Sequence, residues 1–243
     1  MMRSNGIVLH TLRYNDVQWI VEIFTETAGT VSFLVRRSSV TGRRSGVRAG
    51  AWQPLSLVEV VWVPRPQASL QKPLELTLWR PWADIPFHPV KASVALFLGE
   101  FLYRALHNEQ VNGPLFAYLV NAFTWFDEAQ KNIANFHLVV LLHLTRFLGF
   151  EPNVDDWCEG AFFDLEGACF TLQRPLHTHY LEPAEAALVP KFLRMDVRKM
   201  RAVAMTGVAR TRVLQLVIEF YRLHVPEFPE LKSLEVLAEV FRC

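Results

Sequence analysis

The hydrophobic period of this chain changes once, close to Pro89, and this change limits the fold more than any other feature. Before Pro89, short runs rich in β-branched and aromatic residues are separated by Gly, Pro and an Asn-Asp turn. After it, apolar residues recur at spacings of three and four, which is the period of an amphipathic helix. The sequence therefore predicts an α+β protein in which the β part comes first.

The residues before Pro89 predict five short strands. They occupy residues 7–14, 18–25, 30–35, 55–63 and 74–78. Several short strands at this spacing, with turn residues between them, predict a small barrel or sandwich. Five strands fit an oligonucleotide/oligosaccharide-binding (OB) barrel, and an SH3-like or other small barrel fits the period equally well.

The residues after Pro89 predict an α-helical bundle. Pro86 and Pro89 help to start its first helix, Pro114 lies in the first turn of the second, and Gly149 ends the third. The third helix is apolar nearly all round, as expected of a helix in the middle of a bundle. Further helices are predicted at residues 182–194, 196–206, 210–223 and 233–241, with Gly207 ending the second of these four.

These patterns predict a multidomain chain. An OB-fold DNA-binding barrel is expected at residues 1–84 and a helical domain at residues 85–243. Residues 151–180 lack a helical period and hold two of the three cysteines, so they are expected to form a small insert on the bundle.

Composition excludes several classes of protein. The chain has 243 residues, of which 51% are hydrophobic and 20% charged, so it can bury a sizeable core. Its apolar runs fall well short of the roughly 20 residues that span a bilayer, and no apolar segment of a secretory signal follows Arg3. Three cysteines do not make a disulfide framework, so a reducing cytoplasm is expected. The sequence lacks the motifs of nucleoside-triphosphate binding, of zinc-dependent hydrolases and of hydrolases with a nucleophilic serine. We therefore expect no enzyme activity and no catalytic residues.

The strongest chemical feature is a run of arginines between the third and fourth predicted strands. Although the whole chain has a net charge of only +1, residues 1–84 carry ten basic residues against six acidic ones. Serines and glycines between the arginines let the guanidinium groups reach a phosphate backbone without a fixed register. Phe33 precedes this segment and Trp52 ends it. Single strands stack their bases on aromatic rings beside cations. The predicted DNA-binding residues are Arg36, Arg37, Arg43, Arg44, Arg48 and Trp52. A solvated surface loop with a chance run of charge is the other interpretation.

The insert could be expected to bind a metal, but its spacing argues against one. Cys158-x10-Cys169 followed by His177-x-His179 supplies four ligands that zinc accepts. Structural zinc sites usually bring ligands in close pairs such as Cys-x-x-Cys, and neither cysteine has a near partner. The acidic residues of the insert also lack the spacing of a calcium loop. We therefore predict no metal and no other cofactor.

Four short segments, in this order, resemble a known family. They are Phe-Leu-Gly-Phe-Glu-Pro-Asn at 147–153, Phe-Phe-Asp-Leu-Glu-Gly at 162–167, Tyr-Leu-Glu-Pro at 180–183 and Leu-Lys-Ser at 231–233. Together with the basic barrel, they make the chain similar over almost its whole length to the bacterial recombination mediators of the RecO family. The resemblance implies an OB barrel, a helical domain and a zinc-type insert. It also implies a non-enzymatic, cytoplasmic, nucleoid-associated protein of DNA repair and recombination.

The resemblance further implies a mechanism and partners. Family members bind single- and double-stranded DNA, anneal complementary strands and, with RecR, help to load RecA onto DNA covered by single-strand-binding protein (SSB). They also recognise the acidic, hydrophobic-ended tail of SSB through the helical domain, which requires an apolar pocket rimmed by cations. Residues that could supply such a rim are Arg104, Arg146, Arg198, Lys199 and Arg201.

One departure from the family concerns the insert. Many members carry two Cys-x-x-Cys pairs there, whereas this chain reads Asp-Asp-Trp-Cys-Glu-Gly at 155–160 and Gly-Ala-Cys-Phe-Thr-Leu at 167–172, so neither pair is present. The insert is thus of a degenerate zinc type that has lost its ligand pairs. We expect hydrophobic contacts among Trp157, Phe162, Phe163 and Phe170 to hold it instead.

Two other functions remain open from the sequence. A protein–protein scaffold without direct DNA contact, using the barrel as an adaptor, agrees with a net charge near zero. A nuclease or other metal enzyme would need a carboxylate cluster in a cleft, and the sequence offers only the acidic insert. A helix at 196–206 with several basic residues is a candidate second DNA surface, and a solvated helix face explains it equally well.

Overall fold

The computed structural model describes residues 1–36, 53–107, 109–196, 200 and 204–240. It contains two compact units. The first comprises Met1–Glu128 with Leu231–Val240, and the second is described over Ala129–Glu230 apart from the gaps just given. These units are defined by contacts between residues in space. The division predicted after residue 84 is defined by the change of hydrophobic period, and it stays a prediction.

The first unit is built on an antiparallel sheet of five strands. These are β1 (Met2–Arg13), β2 (Gln18–Thr25), β3 (Gly29–Arg36), β4 (Leu57–Trp62) and β5 (Pro73–Arg80), in the order β3-β2-β1-β4-β5. Gln71, just before β5, closes the sheet: its N–H donates to Ser32 O and its carbonyl accepts from Leu34 N–H, both at 2.9 Å. This bridge to β3 is parallel, as in an OB barrel. The predicted α+β arrangement with an N-terminal OB-type barrel is therefore confirmed.

The barrel encloses an apolar core. Because side chains alternate across a strand, Val21 and Phe33, which are partners across β2 and β3, both face inward. Phe33 is fully buried, with its ring centroid 5.4 Å from that of Trp62. The expectation that Phe33 opens a base-stacking surface is therefore wrong, because the strand period turns its ring into the core.

The helices of the described chain follow the barrel, with short ones between longer ones. They are α1 (Pro89–Ala105), α2 (Gly113–Glu128), α3 (Phe136–Leu148), α4 (Pro183–Ala186), α5 (Val189–Leu193), α6 (Gly207–His224) and α7 (Ser233–Val240). In the first unit, α7 packs on α1, although 127 residues separate their sequences. The Glu100 carboxylate accepts hydrogen bonds from Lys232 N–H at 3.0 Å and from Ser233 N–H at 2.8 Å. Glu100 of α1 thus binds the backbone groups that begin α7.

In the second unit, α3 and α6 pack together beside a small sheet. The Tyr221 hydroxyl of α6 donates to Leu141 O of α3 at 2.7 Å, and both residues are buried. The sheet consists of β6 (Phe162–Asp164), β7 (Cys169–Thr171) and β8 (Tyr180–Leu181), in the order β7-β6-β8. Gly149 ends α3 with φ +86°, as predicted, because a residue without Cβ adopts this left-handed conformation easily.

Two details differ from the sequence predictions. The helix expected at 182–194 is two short helices, α4 and α5. Most of the helix expected at 196–206 lies outside the described residues. Gly207 begins α6 rather than ending a helix, because Thr206 is extended and its side chain accepts a hydrogen bond from Ala209 N–H at 3.2 Å.

Candidate nucleic-acid interface

The structure places one of the predicted DNA-binding residues. Arg36 is the last residue of β3, is exposed, and lies opposite Gln18 of β2. The remaining ones, Arg37, Arg43, Arg44, Arg48 and Trp52, lie outside the described residues. The arginine-rich segment 37–52 is thus joined to the barrel at the end of β3.

An apolar row lies beside Arg36 on the outward face of the barrel. Leu12, Ile20 and Leu34 are neighbours across β1, β2 and β3, two residues along the strands from the pair of Gln18 and Arg36. They alternate with core residues and so point away from the core. Leu12 is 53% exposed, and Tyr14, in the turn that follows β1, is 60% exposed.

Aromatic rings border the other side of this row. His10, two residues before Leu12 on β1, stacks on Tyr103 of α1 with ring centroids 4.4 Å apart. The guanidinium of Arg104 lies 4.8 Å from the Tyr103 ring centroid. Burial, together with Arg104, lowers the pKa of His10 against the opposing effect of Glu22 and Glu100. Burial also raises the pKa of Tyr103, so both rings are uncharged at neutral pH.

The outward face of β1, β2 and β3 therefore has a floor of apolar side chains, with Arg36 beyond one end and His10, Glu22 and the Tyr103–Arg104 pair beyond the other. Single strands bind such surfaces with bases on the floor and phosphates near the cations. Sequence analysis missed Tyr14 and Tyr103 as members of this face. Tyr14 could have been found from the alternation of β1, which continues into the turn. Tyr103 could not, because its approach to β1 depends on how α1 packs.

The second unit contains an apolar cavity of about 240 Å³. Its walls come from α3, α5, α6 and the small sheet, and include Leu142, Phe163, Leu181, Phe192, Val213 and Leu216. Arg212 and Glu185 also line it, with their side chains joined by two hydrogen bonds of 2.9 and 3.1 Å. This contact with Arg212 lowers the pKa of Glu185, so the ion pair persists at neutral pH. The cavity thus has apolar walls and a paired cation at its edge.

The described residues show neither a metal-ligand cluster nor a membrane-spanning helix. No group of three or more His, Cys, Asp or Glu in the described ranges is arranged to hold a metal ion. Among the helices that the structure describes, none is both long and apolar enough to cross a bilayer.

Comparisons with known proteins cover both halves of the chain. The family described as "Recombination protein O N terminal" matches residues 1–81, and "Recombination protein O C terminal" matches residues 87–235. The chain is 46% identical over 241 residues to a DNA repair protein RecO of Phocaeicola vulgatus, and 45% identical over 242 residues to one of Bacteroides fragilis. A further relative, the DNA repair protein RecO of Flavobacterium psychrophilum, is 30% identical over 241 residues. In each pair, 99% of both chains is covered. With matches to both parts and over the full length, the chain belongs to the RecO family of DNA repair proteins.

Proposed function

We propose that this protein is a non-enzymatic mediator of DNA repair and recombination that binds single- and double-stranded DNA. The observation that carries the proposal is the position of Arg36, where an arginine-rich segment joins the barrel beside an exposed apolar and aromatic face. Membership of a family of DNA repair proteins supports it. The arginines supply phosphate contacts that both kinds of DNA offer, whereas the face formed by Leu12, Ile20, Leu34 and Tyr103 suits unpaired bases.

The same arrangement supports strand annealing. Two DNA strands repel each other through their phosphates, and guanidinium groups that contact both strands lower this repulsion while the bases pair. The protein forms and breaks no covalent bond in this step. With RecR, it would then help RecA to load onto DNA covered by SSB, in the bacterial cytoplasm at the nucleoid.

The salt dependence of DNA binding tests the proposal. Five phosphate contacts to a single strand imply a slope of log K against log salt of about −3.5, since each contact contributes about −0.7. We expect this slope when a labelled oligonucleotide is titrated with the protein over a salt series and followed by fluorescence anisotropy. A protein that fails to bind at low salt would instead be a scaffold without direct DNA contact.

We further propose that the cavity of the second unit receives the apolar end of the SSB tail. Its walls accept apolar side chains, and Arg212 is a cation at its edge that an acidic peptide would contact. Glu185 already holds this guanidinium, so the tail must compete with an internal carboxylate.

Two variants test this pocket. Val213→Asp places a charge on the apolar wall and is expected to weaken binding of a labelled SSB-tail peptide by about tenfold or more, because the charge would be desolvated on binding. Glu185→Gln removes the competing charge and should strengthen binding. Gln215→Asp, on the exposed side of the same helix, is the matched control and should bind as the wild type does. Equal binding by Val213→Asp and its control, in an anisotropy titration of the folded proteins, would place the tail elsewhere.

A further inference from the structure

We propose that the insert, residues 151–180, together with Leu181 of its last strand, has the backbone frame of a metal site without the full set of ligands. It folds without a metal ion, around an aromatic core. The proposal concerns the architecture of the insert and does not depend on the proposed DNA-binding function.

The spacing of four residues first suggests the frame. Cys158 follows Asp155 by three positions, and Cys169 follows Glu166 by three positions. Two Cys-x-x-Cys turns would have thiols at all four places, and here carboxylates occupy the first place of each turn.

The structure brings the two turns side by side. Asn153 N–H, just before the first turn, donates to Ala168 O of the second at 2.8 Å. This backbone hydrogen bond joins the start of the first turn to the second, so the two turns are neighbours.

Other potential ligands of the insert, an aspartate and a histidine, make contacts with protein groups instead. Asp164 Oδ1 accepts hydrogen bonds from Glu166 N–H at 2.8 Å and from Gly167 N–H at 3.0 Å, so it stabilises the β6–β7 turn itself. His177 Nε2 lies 3.4 Å from the same carboxylate oxygen. Cys158 is exposed, and in the described residues no group of three or more His, Cys, Asp or Glu is placed to hold a metal ion. Two thiols alone are a poor ligand set for zinc, which usually takes four ligands.

A buried aromatic cluster stabilises the insert. The ring centroid of Phe163 lies 5.0 Å from that of Phe170 and 6.4 Å from that of Phe220, which comes from α6. Leu165, Leu181 and Ala186 join the same buried cluster. The expected contacts of Phe163 and Phe170 are thus present. Those of the other two predicted aromatics differ: Trp157 is 45% exposed, and Phe162 contacts Tyr180 at the surface.

Helix α6 also contributes polar contacts to the insert. His224 Nε2 lies 2.8 Å from Leu165 O, and the His224 ring stacks on Phe150 at 5.2 Å. His179 Nδ1 lies 2.9 Å from the Glu219 carboxylate. These contacts fix the small sheet against the helix, so cross-linking by an ion is not required.

Metal analysis of the purified full-length protein, expressed with added zinc, tests the first part of the proposal. We expect well under one zinc per chain and a melting temperature that EDTA does not change, since a structural metal would contribute directly to folding. About one zinc per chain, together with a lower melting temperature in EDTA, would overturn the proposal.

Substitutions distinguish stabilisation of the insert by its thiols from stabilisation by its aromatic core. In Cys158→Ser/Cys169→Ser, amide hydrogen exchange in residues 151–181 should match that of the wild type. In Phe163→Ala, protection of the same amides should fall by about tenfold or more, because a buried ring is lost. Loss of protection in the serine variant would show that the thiols hold the insert and would contradict the proposal.

Restoring the missing thiols tests the frame itself. Asp155→Cys/Glu166→Cys creates two Cys-x-x-Cys pairs, and we expect this variant to bind about one zinc per chain. Serine at the same two positions is the control and should bind none. A cysteine variant that remains free of zinc while folded would show that the two turns do not form a common frame.

Discussion

Replacing Asp127 by alanine is expected to lower the free energy of unfolding of the first unit by about 3–5 kcal/mol. Asp127 lies near the end of α2 and is only 9% exposed. Its carboxylate accepts three hydrogen bonds of 2.8 Å, from the backbone N–H groups of Ala83, Asp84 and Ile85. Alanine would leave all three donors of this connecting segment without their acceptor.

Lys91 makes this region more sensitive to substitution. Its side chain is 1% exposed, and its Nζ lies 2.7 Å from Asp84 Oδ2 and 2.8 Å from Asp127 O. The hydrogen bond from Lys91 holds the pKa of Asp84 below its usual value. If the segment around Asp84 moves after loss of the Asp127 carboxylate, the buried ammonium loses its partner, and burying an unpaired charge is costly.

Urea unfolding followed by tryptophan fluorescence measures the effect, because five of the six described tryptophans lie in the first unit. Arg80→Ala is the matched control: Arg80 also contacts α2, through Thr124 and Glu128, but its side chain is 52% exposed. An exposed ion pair of this kind contributes about 1 kcal/mol or less. Similar losses in the two variants would contradict the role given to Asp127.

Reversing two charges of the arginine-rich segment, in Arg43→Glu/Arg44→Glu, is expected to reduce affinity for single-stranded DNA by about 25-fold or more at 0.1 M salt. Each phosphate contact contributes about 0.7 to the exponent of the salt dependence, so two lost contacts remove about 1.4 decades at this concentration. The slope should fall from about −3.5 to about −2. Repulsion between the new carboxylates and the phosphates adds to the loss.

Fluorescence anisotropy over a salt series measures both quantities. Lys131→Glu/Arg222→Glu is the control, because it makes the same change of net charge at exposed positions of the second unit. If this control loses as much affinity as the segment variant, binding follows net charge rather than the arginine-rich segment. If neither variant loses affinity, DNA binds at another surface.

The hydrophobic period predicted most of the fold because it depends on local geometry. Alternation along β1–β5 and the spacing of three and four in α1 and α2 each define one apolar face, which can be recognised without knowing what covers it. Phe33 was misplaced. Its position before the arginine-rich segment suggested an exposed ring, but the face of β3 on which it lies turns the ring into the core.

By itself, the sequence determined the β part followed by the α part, the place of the arginine-rich segment and the end of α3 at Gly149. Tertiary structure alone decided which distant groups meet. Asp127 reaches the segment at Ala83 across 44 residues, and Glu100 reaches Ser233 across 133. Local pattern contains no information on such pairs, because a carboxylate on a helix surface finds its partner only after the elements have packed.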